Sequence, residues 1–344
     1  MAKLADKILA GDRRAAARLM RDLDDRMPAA VGEMARLYPH TGKVPWVGVT
    51  GNPGSGKSTL VDQLIAKYRE RGKKVGVVAV DPTSPFSGGA ILGDRIRMQR
   101  HGLDDGVFVR SLATRGHLGG LSRSTRDVAR VLDALGMDEV LIETVGVGQD
   151  EVEVSRVAET CVVVVVPGLG DDVQALKAGV LEIADVFVVN KADRPGVDRV
   201  VRELEMLVSL RPRADEEEKM HHGGSQAVAE AVAVAGAVAG AEAVAGAEWV
   251  PPILTTVSTD GTGVDALVAA IDAHRAFLST SDAGRRRREV QREAELREVF
   301  RARVVDAAIE RLGDAWRALA AEVNAGRLDP YSATEQAVAR LLGD

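Results

Sequence analysis

Residues 51–59 read Gly51-Asn52-Pro53-Gly54-Ser55-Gly56-Lys57-Ser58-Thr59. A glycine, four free positions and then Gly-Lys-Ser form the phosphate-binding loop pattern. The apolar run 44–50 before it predicts a buried strand, and the apolar residues after it follow a helical spacing. Strand, loop and helix in this order are the setting that the pattern requires, so the sequence predicts nucleotide binding.

Each residue type in the loop has a chemical reason. Its three glycines let backbone N–H groups close around phosphate oxygens, in conformations where a Cβ would clash. Lys57 supplies a positive charge for the β- and γ-phosphates, and the Ser58 hydroxyl can ligate Mg²⁺. The helix that begins near Lys57 points its positive end at the phosphates. We therefore predict that residues 51–59 hold the phosphates of the nucleotide.

Seven apolar segments, most of them rich in valine, predict strands along the chain. Valine-rich strands without alternation are typical of a parallel sheet that is covered on both faces. Helical stretches separate the segments, so we expect an α/β fold with a doubly wound, mostly parallel sheet. The predicted strands are Val44–Thr50, Lys74–Val80, Val107–Leu112, Glu139–Thr144, Cys161–Val166, Val186–Val189 and Ile253–Val257.

A guanine-binding pattern, Asn190-Lys191-Ala192-Asp193, follows the sixth predicted strand. A carboxylate at Asp193 can accept hydrogen bonds from the N1–H and the exocyclic amine of guanine. Adenine lacks this pair of donors and would leave the carboxylate unpaired, which costs about 1–3 kcal/mol or more. The sequence therefore predicts GTP rather than ATP, and the backbone N–H near Ser258 is a further candidate contact for the guanine carbonyl oxygen.

The fourth predicted strand ends in a candidate catalytic segment. Glu143 precedes Gly146 by three positions, so its carboxylate can hold Mg²⁺ while the glycine N–H meets the γ-phosphate. Many GTPases have a glutamine after this glycine, but here the position is Val147. We expect slow intrinsic hydrolysis, with Gln149 as a local candidate for orienting the attacking water.

Two aspartates are further candidates at the same sheet edge. Asp81 ends the second predicted strand and Asp94 follows a segment rich in glycine and serine. Carboxylates at the carboxyl end of a parallel sheet can meet a metal ion or the attacking water. A helix cap or a turn is an equally good interpretation of Asp94. The segment between the two aspartates is a candidate switch that orders around the γ-phosphate.

Composition excludes several classes of function. The 344 residues are 46% hydrophobic and carry a net charge of −6, so the overall balance predicts neither nucleic-acid binding nor an anionic membrane partner. The alanine, valine and glycine tract 227–247 is interrupted by two glutamates and is weakly apolar, which argues against a membrane span. The lone Cys161 excludes an internal disulfide. The first residues lack an apolar signal core, so we expect a cytoplasmic protein.

The chain divides into a central domain with helical extensions. We predict an N-terminal helical extension over 1–40, a P-loop GTPase domain over 41–280 and a C-terminal helical dimerisation extension over 281–344. The segment at about 214–248 is of low complexity, and its small side chains cannot build a packed core. We therefore interpret it as an insertion that interrupts the central domain. Apolar residues three or four apart, from Phe300 to Leu319, form a stripe on a long predicted helix that a second subunit can bury.

Together these motifs resemble the methylmalonyl-CoA mutase-associated GTPases, the ArgK-type chaperones of cobalamin-dependent mutases within the SIMIBI class of P-loop GTPases. The resemblance is close over about residues 5–210 and looser over 250–344. It departs at the insertion and at Val257-Ser258-Thr259, which replaces a Ser-Ala element near guanine. Besides the phosphate loop and the guanine motif, the segments that carry it are Val80-Asp81-Pro82-Thr83-Ser84-Pro85, residues 88–98, Ala113-Thr114-Arg115-Gly116-His117-Leu118-Gly119-Gly120 and residues 143–149.

The resemblance implies Mg²⁺ near Ser58, Asp81, Asp94 and Glu143, and a homodimer held by the helical extensions. It also implies a function beyond hydrolysis, in which GTP-driven conformational change gates cofactor loading and protects an adenosylcobalamin-dependent acyl-CoA mutase. Two alternatives stay open: a phosphotransferase linked to amino-acid transport, and a GTPase that delivers nickel. His117 lies in a segment that looks characteristic of the family.

Overall fold

The fold is built on a parallel sheet. The computed structural model describes residues 3–81, 101–113, 120–144, 149–168, 182–210 and 248–343. Within them the strands are β1 (Trp46–Gly51), β2 (Val75–Asp81), β3 (Val107–Ala113), β4 (Glu139–Glu143), β5 (Thr160–Val165), β6 (Val186–Asn190) and β7 (Ile253–Thr256). They form a 7-stranded sheet in the order β3-β2-β4-β1-β5-β6-β7. Each neighbouring pair is parallel, which confirms the predicted sheet.

Helices lie before, between and after these strands. None of the helices in the described ranges is both long and apolar enough to cross a membrane. A short 3₁₀ turn, Tyr38–His40, follows the third helix. The α-helices are α1 (Leu4–Leu9), α2 (Arg13–Asp24), α3 (Pro28–Leu37), α4 (Lys57–Glu70), α5 (Gly120–Ala134), α6 (Gln149–Val157), α7 (Val197–Ser209), α8 (Val264–Thr280), α9 (Asp282–Leu312), α10 (Asp314–Asn324) and α11 (Pro330–Leu342).

The sheet is covered on both faces, which explains its valine-rich strands. Successive side chains of a strand point to opposite faces. In β5, Val162 and Val164 join the core that α4 and α8 cover. Cys161 and Val163 join the core on the other face, beneath α5, α6 and α7. Every position of the strand is therefore buried, as a doubly wound sheet requires.

The N-terminal helices belong to the same packed unit as the sheet, which extends to Arg287. Ile8, Leu19, Met20 and Leu37 are fully buried in one core with Leu132 of α5. Burying such side chains contributes about 1.5–3 kcal/mol each. The N-terminal segment is therefore part of the hydrophobic core of the sheet unit.

The segment between α3 and β1 is fastened to α5. Asp133 of α5 accepts hydrogen bonds from the backbone N–H of Gly42 at 2.6 Å and of Lys43 at 3.3 Å. These donors lie at a turn where the chain enters the sheet. A buried carboxylate therefore positions the strand that leads into the phosphate loop.

Residues 288–344 form a second compact unit. In it, Leu319 of α10 is buried against Ala333 and Ala337 of α11. The predicted single long helix was wrong at its C-terminal end, because α9 stops at Leu312 and Gly313 has a φ of 50°. A glycine with a positive φ and a ψ of −114° cannot continue a helix, so the predicted apolar stripe is divided between α9 and α10.

Candidate nucleotide-binding site

The phosphate loop joins the end of β1 to the start of α4, as its sequence predicts. Gly51 has a φ of 135°, and a Cβ at this position would overlap the carbonyl oxygen of Val164 in β5. Gly56 has a φ of 91°, and a Cβ there would meet the side-chain amide of Asn190. Close approach of neighbouring backbone and side chains therefore requires glycine at both ends of the loop.

Lys57 begins α4, and its side chain turns back over the loop. The Nζ donates hydrogen bonds to the carbonyl oxygens of Gly51 at 2.7 Å and Asn52 at 3.0 Å. The residue is buried, so its charge is fixed beside the N-terminus of the helix. A fixed cation next to a helix N-terminus is a favourable place for phosphate oxygens.

Ser58 and Glu143 meet at the carboxyl edge of the sheet. The Ser58 hydroxyl donates a hydrogen bond of 2.6 Å to Oε1 of Glu143, and both side chains are buried. Hydroxyl and carboxylate oxygens are ligands that Mg²⁺ accepts in proteins. The two predicted ligands that the structure describes therefore fit a magnesium ion in their chemistry and in their proximity.

Asn190 clamps the phosphate loop to the opposite loop of the site. Its Nδ2 donates to the carbonyl oxygen of Ser55 at 2.8 Å. Its Oδ1 accepts from the backbone N–H of Ser258 at 3.2 Å, from the Ser258 hydroxyl at 2.7 Å and from the Thr256 hydroxyl at 3.1 Å. One buried side chain therefore fixes the phosphate loop relative to the segment after β7, where the guanine contact is predicted.

Lys191 makes a second link to the phosphate loop. It has a φ of 59°, which is uncommon outside glycine, and its Nζ donates to the carbonyl oxygen of Gly54 at 2.6 Å. The backbone N–H of Arg194 donates to the Lys191 carbonyl at 3.0 Å, which closes a turn. Asp193 lies in this turn with an exposed side chain, so its carboxylate can meet a ligand.

The loop after β7 is held by its own hydrogen bonds. Asp260 accepts from the backbone N–H of Thr262 at 2.9 Å, and this bond lowers the pKa of the Asp260 carboxyl. The backbone N–H of Val257 donates to the carbonyl of Thr262. Ser258 therefore sits in a tight loop, and its own backbone N–H is directed at Asn190.

A cavity of about 400 Å³ lies beside the phosphate loop at the carboxyl ends of β5 and β6. Its walls combine prolines and glycines with the cations of Lys191 and Arg194, so it offers positive charge next to the predicted phosphate site. It is lined by Pro53, Gly54, Val166, Pro167, Gly168, Lys191, Arg194 and Pro195.

The structure brings together most of the predicted site. The loop residues 51–59, Glu143, Asn190, Lys191 and Ser258 lie at one edge of the sheet. Asp81 ends β2 at this edge and Gln149 begins α6, but their side chains are outside the description. The remaining predicted residues and segments lie outside the described residues: Asp94, Gly146, His117, and the predicted insertion except for Glu248 at its end.

Sequence reasoning missed two threonine contacts that support the site. Thr256 donates to Asn190, and the Thr144 hydroxyl donates to the Thr50 hydroxyl at 2.9 Å between β1 and the end of β4. Thr256 lies in no motif, and the motif around Thr144 predicts no role for that threonine. These contacts could be identified only from the order and register of the strands in the sheet, which the sequence does not show directly.

The chain is similar to proteins of one family. Residues 16–312 match the family described as methylmalonyl Co-A mutase-associated GTPase MeaB. A putative GTPase of Pyrococcus horikoshii is 44% identical over 344 residues, which are 99% of this chain and 98% of that protein. A Caenorhabditis briggsae protein described as a mitochondrial methylmalonic aciduria type A homolog is 40% identical over 162 residues, 47% of this chain and 39% of that protein.

The fold is similar to a solved structure. The crystal structure of an LAO/AO transport system kinase is 23% identical and has a TM-score of 0.66, covering 98% of this chain and 96% of that one. This likeness supports the same doubly wound architecture.

Proposed function

Because this chain belongs to the family of methylmalonyl-CoA mutase-associated GTPases of the MeaB type, we propose that it is a GTP-hydrolysing chaperone. It gates cofactor loading into an adenosylcobalamin-dependent acyl-CoA mutase, such as methylmalonyl-CoA mutase, and protects that enzyme. The observation that carries the nucleotide part is the Asn190 clamp, which ties the guanine motif to the carbonyl of Ser55 in the phosphate loop.

The described residues divide the binding of GTP between them. Backbone N–H groups of residues 51–59 and the Lys57 ammonium bind the phosphates. Asp193 accepts the two guanine donors, and the Ser258 loop supplies a backbone N–H to the guanine carbonyl. Asn190 acts by positioning, since its hydrogen bonds hold the two halves of the site at a fixed distance. Base recognition and phosphate binding are therefore supported by one rigid frame.

Ser58 and Glu143 would hold Mg²⁺, together with Asp81 and Asp94. When bound, the ion offsets negative charge on the phosphate oxygens during phosphoryl transfer. Lys57 adds a fixed positive charge beside the same oxygens. Because Val147 stands where many GTPases have a water-orienting glutamine, hydrolysis by the chain alone is slow. Gln149 or a residue of the partner completes the arrangement.

The mutase is proposed as partner on two grounds. The matching family is named for association with methylmalonyl-CoA mutase, and a worm relative is named for methylmalonic aciduria. We further propose that the chain is a cytoplasmic homodimer joined through residues 281–344. Phe300 of α9 is 66% exposed and Leu296 is 69% exposed, which suits burial against a second copy.

The first experiment measures GTP hydrolysis by the purified protein, alone and with a candidate adenosylcobalamin-dependent acyl-CoA mutase. We expect a slow basal rate that rises when the mutase is added, because the partner completes the site. Lys57→Ala should abolish phosphate binding and remove both rates. Asp193→Ala should reduce the preference for GTP over ATP, while Asp198→Ala, an exposed carboxylate on α7, should leave it unchanged.

The outcomes separate the nucleotide and partner parts of the proposal. Equal hydrolysis of ATP and GTP would contradict the guanine assignment. The chaperone role would be contradicted if no acyl-CoA mutase tested changes the rate of GTP hydrolysis and none co-purifies with the protein. The assignment as a GTPase would not be affected by that result. Transport-linked phosphoryl transfer and nickel delivery would then be tested with an amino-acid transporter and with a nickel enzyme as partners.

A further inference from the structure

A buried carboxylate lies at the edge of the sheet opposite the phosphate loop. Asp185 directly precedes β6, and its side chain is 10% exposed. It accepts hydrogen bonds from the backbone N–H of Cys161 at 2.8 Å and from the two terminal nitrogens of Arg287 at 2.7 and 2.9 Å. A bidentate guanidinium–carboxylate pair of this kind combines strength with a fixed geometry.

The Asp185–Arg287 pair fastens the start of α9. Arg287 lies near the beginning of this helix, whose residue Gly284 packs tightly on the end of α8. A Cβ at Gly284 would overlap the backbone of Leu278. The backbone N–H of Gly284 donates a hydrogen bond to the Ser281 hydroxyl at 3.0 Å. Two independent contacts therefore fix the first turns of α9 against the sheet unit.

The same aspartate also holds Trp249, which follows the low-complexity tract in the sequence. The indole Nε1 donates to the backbone carbonyl of Asp185 at 2.8 Å. The indole ring packs against His274, with centroids 4.7 Å apart, and against Phe277 at 5.5 Å. The chain that returns from the insertion is therefore attached at the residue that binds α9.

His274 is buried next to both Trp249 and Asp185. Its Nδ1 is 2.9 Å from the Thr160 hydroxyl, and its Nε2 is 3.4 Å from Oδ1 of Asp185. Burial lowers the pKa of His274 to about 4, so the ring is neutral at neutral pH. Arg287 is then the cation that Asp185 binds.

We propose that Asp185 is a latch that couples the end of the insertion, through Trp249, to the docking of α9, through Arg287. Displacing Trp249 shifts the Asp185 backbone and the ring of His274, and both support the carboxylate that Arg287 grips. The latch uses no nucleotide contact, so it is independent of the proposed function.

The test is a double-mutant cycle read by amide hydrogen exchange in the first turns of α9. Trp249→Phe keeps an aromatic ring and removes the donated hydrogen bond, while Arg287→Met keeps the side-chain length and removes the guanidinium. Losing one net hydrogen bond changes an opening equilibrium by about two- to tenfold. We expect Trp249→Phe to accelerate exchange in α9 by this amount, and Arg287→Met to accelerate it about tenfold or more because two charge-assisted hydrogen bonds are lost. The double variant should exchange no faster than the faster single variant.

Two controls match the variants in chemistry. Arg286→Met removes a neighbouring exposed arginine of the same helix, and Trp316→Phe changes a tryptophan of the second unit. Both should leave exchange in residues 283–289 unchanged. The coupling would be overturned if the double variant accelerates exchange by the product of the two single accelerations. It would also be overturned if Trp249→Phe exchanges at the wild-type rate. Wild-type exchange in Arg287→Met would overturn the latch itself.

Discussion

Acid should destabilise this protein through His274, a residue far from the nucleotide site. Its side chain is 1% exposed, and burial lowers its pKa from 6.5 to about 4. A base with a depressed folded pKa binds fewer protons than in the unfolded chain. The stability that depends on neutral His274 is therefore present above pH 6.5 and is lost as the pH falls towards 4.

The magnitude follows from the pKa difference. The pKa of His274 falls from 6.5 to about 4, and each pKa unit corresponds to about 1.36 kcal/mol. Protonation of His274 therefore lowers the free energy of unfolding by roughly 3 kcal/mol between neutral pH and a pH below 4. Between pH 7 and pH 5 the expected loss is about 2 kcal/mol, because only part of the titration is complete. Asp185 favours the charged ring and Arg287 opposes it, so the net effect is set mainly by burial.

The assay is urea unfolding of the wild type and of His274→Asn at pH 7 and pH 5. His274→Asn lowers stability at both values but removes the titration, so the difference between the two proteins should shrink by about 2 kcal/mol at pH 5. His40→Asn, at an exposed position, should follow the wild type. A difference that stays constant within about 0.5 kcal/mol would mean that the His274 ring titrates alike in the folded and unfolded states, and that burial does not lower its pKa.

Three further predictions concern the site and the second unit. Asn190→Ala should weaken GTP binding at least about tenfold in a titration and lower the free energy of unfolding by about 2 kcal/mol, because it leaves the Ser55 carbonyl and the Ser258 N–H without their partner. Gly51→Ala should cost more than about 2 kcal/mol in denaturant unfolding, since its Cβ overlaps a carbonyl of β5; an unchanged midpoint would contradict the packing. In the homodimer that we propose, Phe300→Glu should shift sedimentation from dimer to monomer because it places a charge in the exposed apolar stripe, whereas Glu298→Ala should not; a wild-type protein that sediments as a monomer would contradict the dimer.

Much of the fold could be predicted because its signals are local. The seven strands are short apolar runs, and each was placed within two residues of its observed bounds. The end of α9 was missed because a continuous apolar spacing hides the break at Gly313, where only the backbone angle ends the helix. Periodicity records which face of a helix is apolar, but it does not record whether one helix or two carry that face.

The sequence motifs of the candidate site were predicted, but the threonine hydrogen bonds that support it were not. The loop residues, Glu143 and Asn190 stand in recognisable patterns because phosphate and guanine chemistry restrict residue types at fixed spacings. Thr256 has no such pattern, and the pattern around Thr144 gives that threonine no role. Their contacts depend on which strands are neighbours, and β6 lies beside β7 only in the folded sheet.

Read alone, the sequence predicts a phosphate loop, a guanine motif and strands buried on both faces, and the sheet is confirmed. Local spacing carries that information, since each motif acts within a few residues. Three features are visible only in the folded chain: Asn190 joins the two halves of the site, the N-terminal helices enter the core, and Asp185 holds both Trp249 and Arg287. Those contacts join residues far apart in the chain, and only the packing of the folded sheet brings them within hydrogen-bonding distance.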